Sequence, residues 1–246
     1  MKDLYSFDRD REGLDESYNK MYTAYDAAFR RCGLQTLVVE ADPGMIGGTD
    51  SMEFMAPSDA GEDIVIICNT CKYAANREAA RIRTATAENG PEKEMETVLT
   101  PEVRTISQLA DFLNLPAERM VKTLIYRNGE GRMIAVLIRG DREVNEFKLA
   151  KLLNSSELIL AEPEEIEALT GAPVGFSGPV GLEEKATIVV DSDVTEMRNF
   201  VTGANEANAH FINVNIGRDF SPDIIDDVKL ARSGDPCPKC NGLLVE

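Results

Sequence analysis

The sequence predicts an α+β protein with a mixed sheet, arranged as one unit inserted into another. Three observations carry this. Apolar residues recur at helical spacing in some segments and at strand spacing in others, without the strict strand–helix–strand rhythm of a parallel-sheet protein. Val121–Arg127 and Met133–Arg139, separated by Asn128-Gly129-Glu130-Gly131, form the clearest hairpin signal in the chain. Cys68-Asn-Thr-Cys71 and Cys237-Pro-Lys-Cys240 repeat one metal-ligand spacing at widely separated points. A C-x-x-C turn directs two thiolates at one centre, and two such turns complete the four-sulfur shell of a structural zinc site. If the pairs share a metal, the chain returns to the place it left and the segment between them is an insertion. Two unrelated turns, a disulfide or a redox pair are the alternative readings of the same spacing.

In chain order, Leu14, Tyr18, Met21, Tyr25 and Phe29 recur at spacings of three and four, which predicts a helix from Leu14 to Arg31. Gln35–Ala41 and Asp63–Cys68 read as strands, with a glycine-rich loop at Gly44, Gly47 and Gly48 between them. Tyr73 to about Arg83 reads as helical, and polar Thr84–Pro101 as a linker or exposed crossing. A second unit opens with the capping box Thr105-Ile-Ser-Gln108, whose helix ends near Asn114-Leu115-Pro116. After the hairpin come helices at Asn145–Leu153 and at Pro163–Thr170, the latter stopped by Gly171, then strands at Ala186–Asp191 and His210–Asn215.

Composition bounds the partners. Lys plus Arg number 26 against 43 Asp plus Glu, a net charge of −17, so the summed field repels polyanions and any nucleic-acid contact must be local. Arg77, Arg81 and Arg83, and Arg139 with Arg142, are basic stretches that read first as solvated faces. No apolar run approaches the roughly 18–20 residues that cross a membrane, and Met1-Lys-Asp-Leu4 lacks the apolar core of an export signal. An odd number of cysteines, five, favours reduced thiols or metal over a disulfide framework, and Cys32 stands apart at a helix end. The expected setting is cytoplasmic.

Several residues of the second unit invite chemistry, each with a plainer reading beside it. Lys122 interrupts an apolar strand, as an ordinary edge lysine also does. Gly175-Phe-Ser-Gly-Pro179 offers backbone N–H groups to an anion or carbonyl, or is a tight turn. His210, the single histidine, enters a strand and is structural or functional. Asp191 closes a strand where a carboxylate serves as a base or caps the next helix. No serine–histidine–aspartate motif and no Walker loop is present.

Together these segments resemble the middle of a bacterial-type prolyl-tRNA synthetase. Met1–Asp8 is similar to the strand leaving motif 2 of the class II core, Gly44–Phe54 to the proline-pocket loop, and Tyr73-Ala-Ala-Asn76 to the helix before the insertion. Val121-Lys-Thr-Leu124, Arg139–Asn145, Gly175–Pro179 and Gly203-Ala-Asn205 with His210 resemble the inserted editing domain; Asn213–Asp219 and Gly234–Cys240 resemble the return to the core. The resemblance implies three stretches: 1–83 and 222–246 from a partial class II catalytic core, and 84–221 as the editing domain. It implies hydrolysis of alanine mistakenly esterified to proline tRNA, because a site built for proline excludes a smaller side chain by only about 1–3 kcal/mol. Lys122 would hold a phosphate near the terminal adenosine, the Gly175–Pro179 backbone would position the ester carbonyl, and His210 and Asp191 would shape the pocket. The adenosine 2′-hydroxyl would help direct the water.

Cys68, Cys71, Cys237 and Cys240 would hold structural zinc, while ATP, magnesium and a homodimer belong to the intact synthetase. Met52 stands where the family has histidine, and the first and third motifs, the arginine-bearing part of motif 2 and the anticodon-binding domain are missing, so this chain is expected to lack ligation. The partners implied are the tRNA(Pro) acceptor end and its aminoacyl ester, with no membrane. A free-standing deacylase and a non-catalytic, zinc-stabilised tRNA-binding module are the competing readings.

Overall fold

The structure, a computed structural model, describes residues 5–41, 51–58, 60–84 and 90–246; the glycine loop expected at Gly44, Gly47 and Gly48 lies outside them, as do Met1–Leu4. Tyr5–Asp8, expected as a strand, lies in none, and Phe7 is almost wholly exposed. Helix α1, Arg11–Arg31, starts where the Asp10 side chain accepts the Gly13 N–H at 2.9 Å. Its aromatic stripe meets Phe54, with ring centroids 5.3 Å from Tyr22, 5.9 Å from Tyr25 and 5.5 Å from Phe29. Phe54 lies on β2, Ser51–Met55, antiparallel to β1, Leu37–Ala41.

Strand β3, Val65–Cys68, enters the first cysteine turn. The helix expected over 73–83 is instead β4, Ala74–Asn76, followed by turns. The Cys68–Cys71 turn folds the chain back so that Ala75 pairs antiparallel with Ile66 and parallel with Glu40. Sheet pairing on both sides outweighs the helix propensity of the alanines. The expected linker also contains a strand, β5, Glu96–Leu99. Three of its four residues are exposed, so its sequence lacks the alternation of a half-buried strand.

In the second unit, helix α2 (Ile106–Leu113) carries the expected capping box at Thr105 and Gln108 and ends on Asn114 in the left-handed region. The hairpin forms as β6, Val121–Asn128, and β7, Met133–Arg139, in unbroken register from Val121↔Arg139 to Arg127↔Met133. Helix α3, Glu146–Leu152, is capped by Asn145, and α4, Pro163–Thr170, stops at Gly171, which has φ +85°. Between them lies β8, Leu158–Leu160; afterwards come β9, Thr187–Asp191, the short α5, Ser192–Thr195, and strands β10, Phe200–Gly203, and β11, Ala209–Val214. Strands β12, Ile224–Asp226, and β13, Leu244–Val245, complete the chain.

These strands form three sheets: β13-β3-β4-β1-β2, β10-β11-β5 and β12-β9-β7-β6-β8. The last is mixed, with β7 antiparallel to β6 and parallel to β9. Its two faces are both covered. Val121, Ile125, Leu137, Ile188 and Val190 meet Phe200 and Val214 on one side, while Tyr126, Val136 and Val189 meet Leu149 and Val228 on the other. That explains the continuous apolar run of β7. Because β12 pairs with β9, this mixed sheet takes in residues up to Asp226, past residue 221.

The two units meet through buried charge. Lys229 Nζ, fully buried, lies 3.3 Å from Asp191, 3.2 Å from Asp193 and 3.3 Å from Asp227. Burial pulls its pKa down, but the three aspartates outweigh that and hold it above the ordinary value. Arg142 makes a two-pronged pair with Asp235, both contacts 2.7 Å, and Asn145 donates to the Glu78 carbonyl. Replacing Lys229 by methionine takes the ammonium away from buried Asp191 and leaves Asp193 and Asp227 to Arg139 and Lys148. We expect Lys229→Met to cost about 3 kcal/mol or more, read as a lowered midpoint in chemical denaturation, whereas the exposed pair partner Lys20→Met should change it by less than about 1 kcal/mol.

Candidate functional site

Two centres stand out. In the first, the four cysteine sulfurs lie within 4.8 Å of one another, with Cys68–Cys240 at 3.5 Å and Cys71–Cys237 at 3.7 Å. A tetrahedral zinc with bonds of about 2.3 Å separates its sulfurs by roughly 3.8 Å, so the donor set and spacing fit that ion. Main-chain N–H groups converge on the sulfurs: Thr70 and Cys71 on Cys68, Lys239 on Cys237 and Gly242 on Cys240. The Cys71 N–H is the largest influence on Cys68, whose thiol is brought down to about 6 despite an opposing push from burial. Glycine is required at 242, because a Cβ there would lie 2.5 Å from the Thr70 hydroxyl of the other turn. Lys239 reaches across to pair with Glu40 and sits over the Tyr73 ring, locking the second turn to the sheet.

The second centre is the Gly175–Pro179 loop. Gly175 has φ +103°, and a Cβ would meet Arg104 at 2.8 Å; a Cβ on Gly178 would lie 1.8 Å from the Gly203 carbonyl oxygen. Loop and strand end therefore touch through main chain. Asn205 clamps them: its amide donates to the carbonyls of Gly178 (3.0 Å) and Val180 (2.9 Å), and its Oδ1 accepts the Gly178 N–H at 2.8 Å. His210 stands beside the loop, its ring 5.5 Å from that of Phe176 and its Nδ1 2.6 Å from the buried Thr100 hydroxyl. Burial pushes the imidazole down to about 4, against an opposing hydrogen bond with the Gly175 backbone. The ring is neutral at pH 7 and supplies no cation.

The structure brings the loop, Thr100, Asn205 and His210 together. Lys122 and Asp191 lie on the other sheet, on its opposite flank from Val121 and Val190, where Lys122 pairs with Ile138 and Asp191 follows the Leu137↔Val190 pair. Asp191 is fully buried and its carboxylate is occupied by the Asp193, Val228 and Lys229 N–H groups and by Lys229 Nζ. It caps α5, the plainer of its two sequence readings. Lys122 is partly accessible and pairs with Glu143 at 2.9 Å. Sequence reasoning missed Thr100, placed in the polar linker, and the clamp of Asn205, visible only as part of a motif.

A third feature is a cavity of about 1240 Å³ between α1 and β2, lined by Tyr18, Tyr22, Tyr25, Phe29, Met52 and Phe54 among others. Met52 thus faces open space at the end of the expected proline-pocket loop, whose Gly44–Asp50 part lies outside the described residues.

His210 makes a pH prediction. Its folded pKa lies below the ordinary histidine value, so the neutral ring contributes stability that is complete above about 6.5 and is lost as pH falls toward about 4. Across that window, His210→Gln should lose less stability than the unsubstituted protein in thermal melts at stepped pH. Parallel curves would refute the assignment.

The aminoacyl-tRNA editing domain family matches residues 100–220. The proline–tRNA ligase of Geobacter metallireducens is 50% identical over 240 residues, covering 98% of this chain and 42% of that protein. That of Thermoanaerobacter pseudethanolicus is 49% identical over 249 residues, covering 99% and 43%. A solved structure of a hypothetical protein, APE2540, is 28% identical, with a TM-score of 0.47, covering 55% of this chain and 91% of that one. The chain spans about two-fifths of the length of the curated relatives it matches. Over nearly all of its length the chain is similar to proline–tRNA ligases, and its residues 100–220 match the aminoacyl-tRNA editing domain family.

Proposed function

We propose that this chain hydrolyses the ester of alanine mistakenly joined to proline tRNA. The observation that carries the reading is the Gly175–Pro179 loop, held rigid by Asn205 and Gly203 beside a neutral, buried His210. A main-chain loop fixed in this way suits a carbonyl oxygen that gains negative charge, since preorganised N–H donors need no reorganisation during reaction. The Gly178 N–H is engaged by Asn205, which leaves the Gly175 and Ser177 N–H groups for the ester. Water adds to the ester carbon, the bond to the ribose oxygen breaks, and the proton passes to that oxygen, releasing alanine and tRNA. The adenosine 2′-hydroxyl orients the water, in keeping with a centre whose one imidazole is already bonded to Thr100.

Lys122 holds a phosphate of the acceptor end, and Thr100 and His210 form the wall that limits side-chain size. Asp191 acts at a distance, by fixing Lys229 and the end of β9. The four cysteines hold zinc in a structural role, because a four-sulfur shell leaves no open position for substrate. Residues outside the editing domain are read as part of a class II core; ligation with ATP and magnesium, dimerisation and a cytoplasmic setting are proposed for the longer protein.

Alanyl-tRNA(Pro) and prolyl-tRNA(Pro) should be compared as substrates. Selective alanyl hydrolysis is expected, with at least about a hundredfold loss in Lys122→Ala, the scale on which a misplaced substrate loses rate. Equal rates on both esters, or full activity in the variant, would overturn the reading. Cys68→Ser should lower metal content and Tm while sparing hydrolysis at low temperature; loss of hydrolysis in a still-folded variant would refute the structural role of the metal.

A further inference from the structure

We propose that Glu143 is a displaceable counter-ion of Lys122, masking the lysine until a substrate phosphate takes its place. The inference rests on the reading of Lys122 as the phosphate-holding group. The two side chains meet at 2.9 Å, but their surroundings differ: the Lys122 side chain is 19% exposed and that of Glu143 is 74% exposed. The lysine is rooted in β6, an inner strand of its sheet, and the carboxylate that covers it stands in water.

The main chain beneath Glu143 is fixed from several directions. Its carbonyl accepts the Leu230 N–H at 2.8 Å, and the next residue, Val144, bridges to Lys229. On the other side Arg142 is anchored by Asp235. At the start of the loop, a Cβ on Gly140 would lie 2.6 Å from the Ala117 carbonyl oxygen, so that turn is held closely too. The carboxylate thus swings from a fixed pivot. Moving it away opens the Lys122 ammonium without disturbing the fold.

Two electrostatic consequences follow. An ion pair with one exposed partner is weak, so an incoming phosphate replaces the carboxylate at small cost. On a chain with a net charge of −17, a carboxylate at the phosphate position also adds local repulsion to the general one. A phosphate from any other part of an RNA must displace Glu143 with no further gain. A 3′ end whose ester also enters the Gly175–Pro179 loop gains there what it loses at Glu143. Glu143 is in this sense a positioning residue that selects against idle RNA binding.

The test uses this chain with alanyl-tRNA(Pro), and with a non-cognate uncharged tRNA as competitor. Glu143→Gln should lower KM about threefold at low salt and lower the competitor's inhibition constant by a similar factor, within the range an exposed ion pair supplies. Both gains should fade at high salt as the charge is screened. Glu143→Asp, which keeps the charge, should restore the original competitor inhibition. A fall in kcat with KM unchanged would show that Glu143 holds Lys122 for the reaction, and would overturn the proposal, as would an unchanged KM at low salt in a variant with an unaltered melt. The Lys122→Ala control separates the two readings: if it hydrolyses normally, the role of Lys122 itself is wrong, whatever Glu143 does.

Discussion

Asp227 is where the outgoing and returning crossings of the chain are tied together. One of its oxygens accepts the Ile82 N–H from the outgoing segment at 3.0 Å and the Lys148 ammonium from α3 at 3.0 Å; the other lies 3.3 Å from Lys229 on the return. Taking such charges out of water costs several kcal/mol each, and only close mutual pairing offsets the cost. Apolar residues of the same size would give cohesion without direction. The charged cluster accepts one arrangement, because displacing any partner strands another in the interior. The placement of the sulfur centre relative to the editing sheet follows from that single arrangement, as does the seating of the Arg139–Asn145 loop.

The parts of the fold legible in the sequence are those with local causes. The Thr105 capping box, the Asn145 cap, the Gly171 stop and the hairpin turn each act within a few residues, and each forms where the residues place it. Strands β4, β5, β8, β10 and β12 have three or four residues apiece, too few to show a period. Their existence depends on neighbours distant in sequence. Ala75 is a strand residue because Ile66 and Glu40 flank it, and Thr97 because Phe211 stands opposite.

The candidate sites divide in the same way. The cysteine spacing announces its chemistry because thiolate geometry is written into the turn itself, and the four sulfurs do converge. The Gly175–Pro179 loop is legible as a loop, but the reason for its glycines is not: Gly178 is required by the Gly203 backbone on β10, and Gly175 by Arg104. Thr100 gave no signal in a polar stretch, although its hydroxyl is the partner of the single histidine. From its place at the end of a strand, Asp191 reads more readily as a cap than as a base, and the buried contacts agree, since a carboxylate with every acceptor direction occupied has little left for a water molecule.

The contact between Gly178 and Gly203 has an evolutionary corollary. Where a loop and a strand end touch through peptide groups, their separation is set by the path of the chain and not by any replaceable side chain. Point mutation nearby then alters the lining while leaving that separation almost constant. Changing it requires an insertion or a new chain trace. A dimension protected in this manner drifts slowly, which suits the discrimination by bulk proposed above.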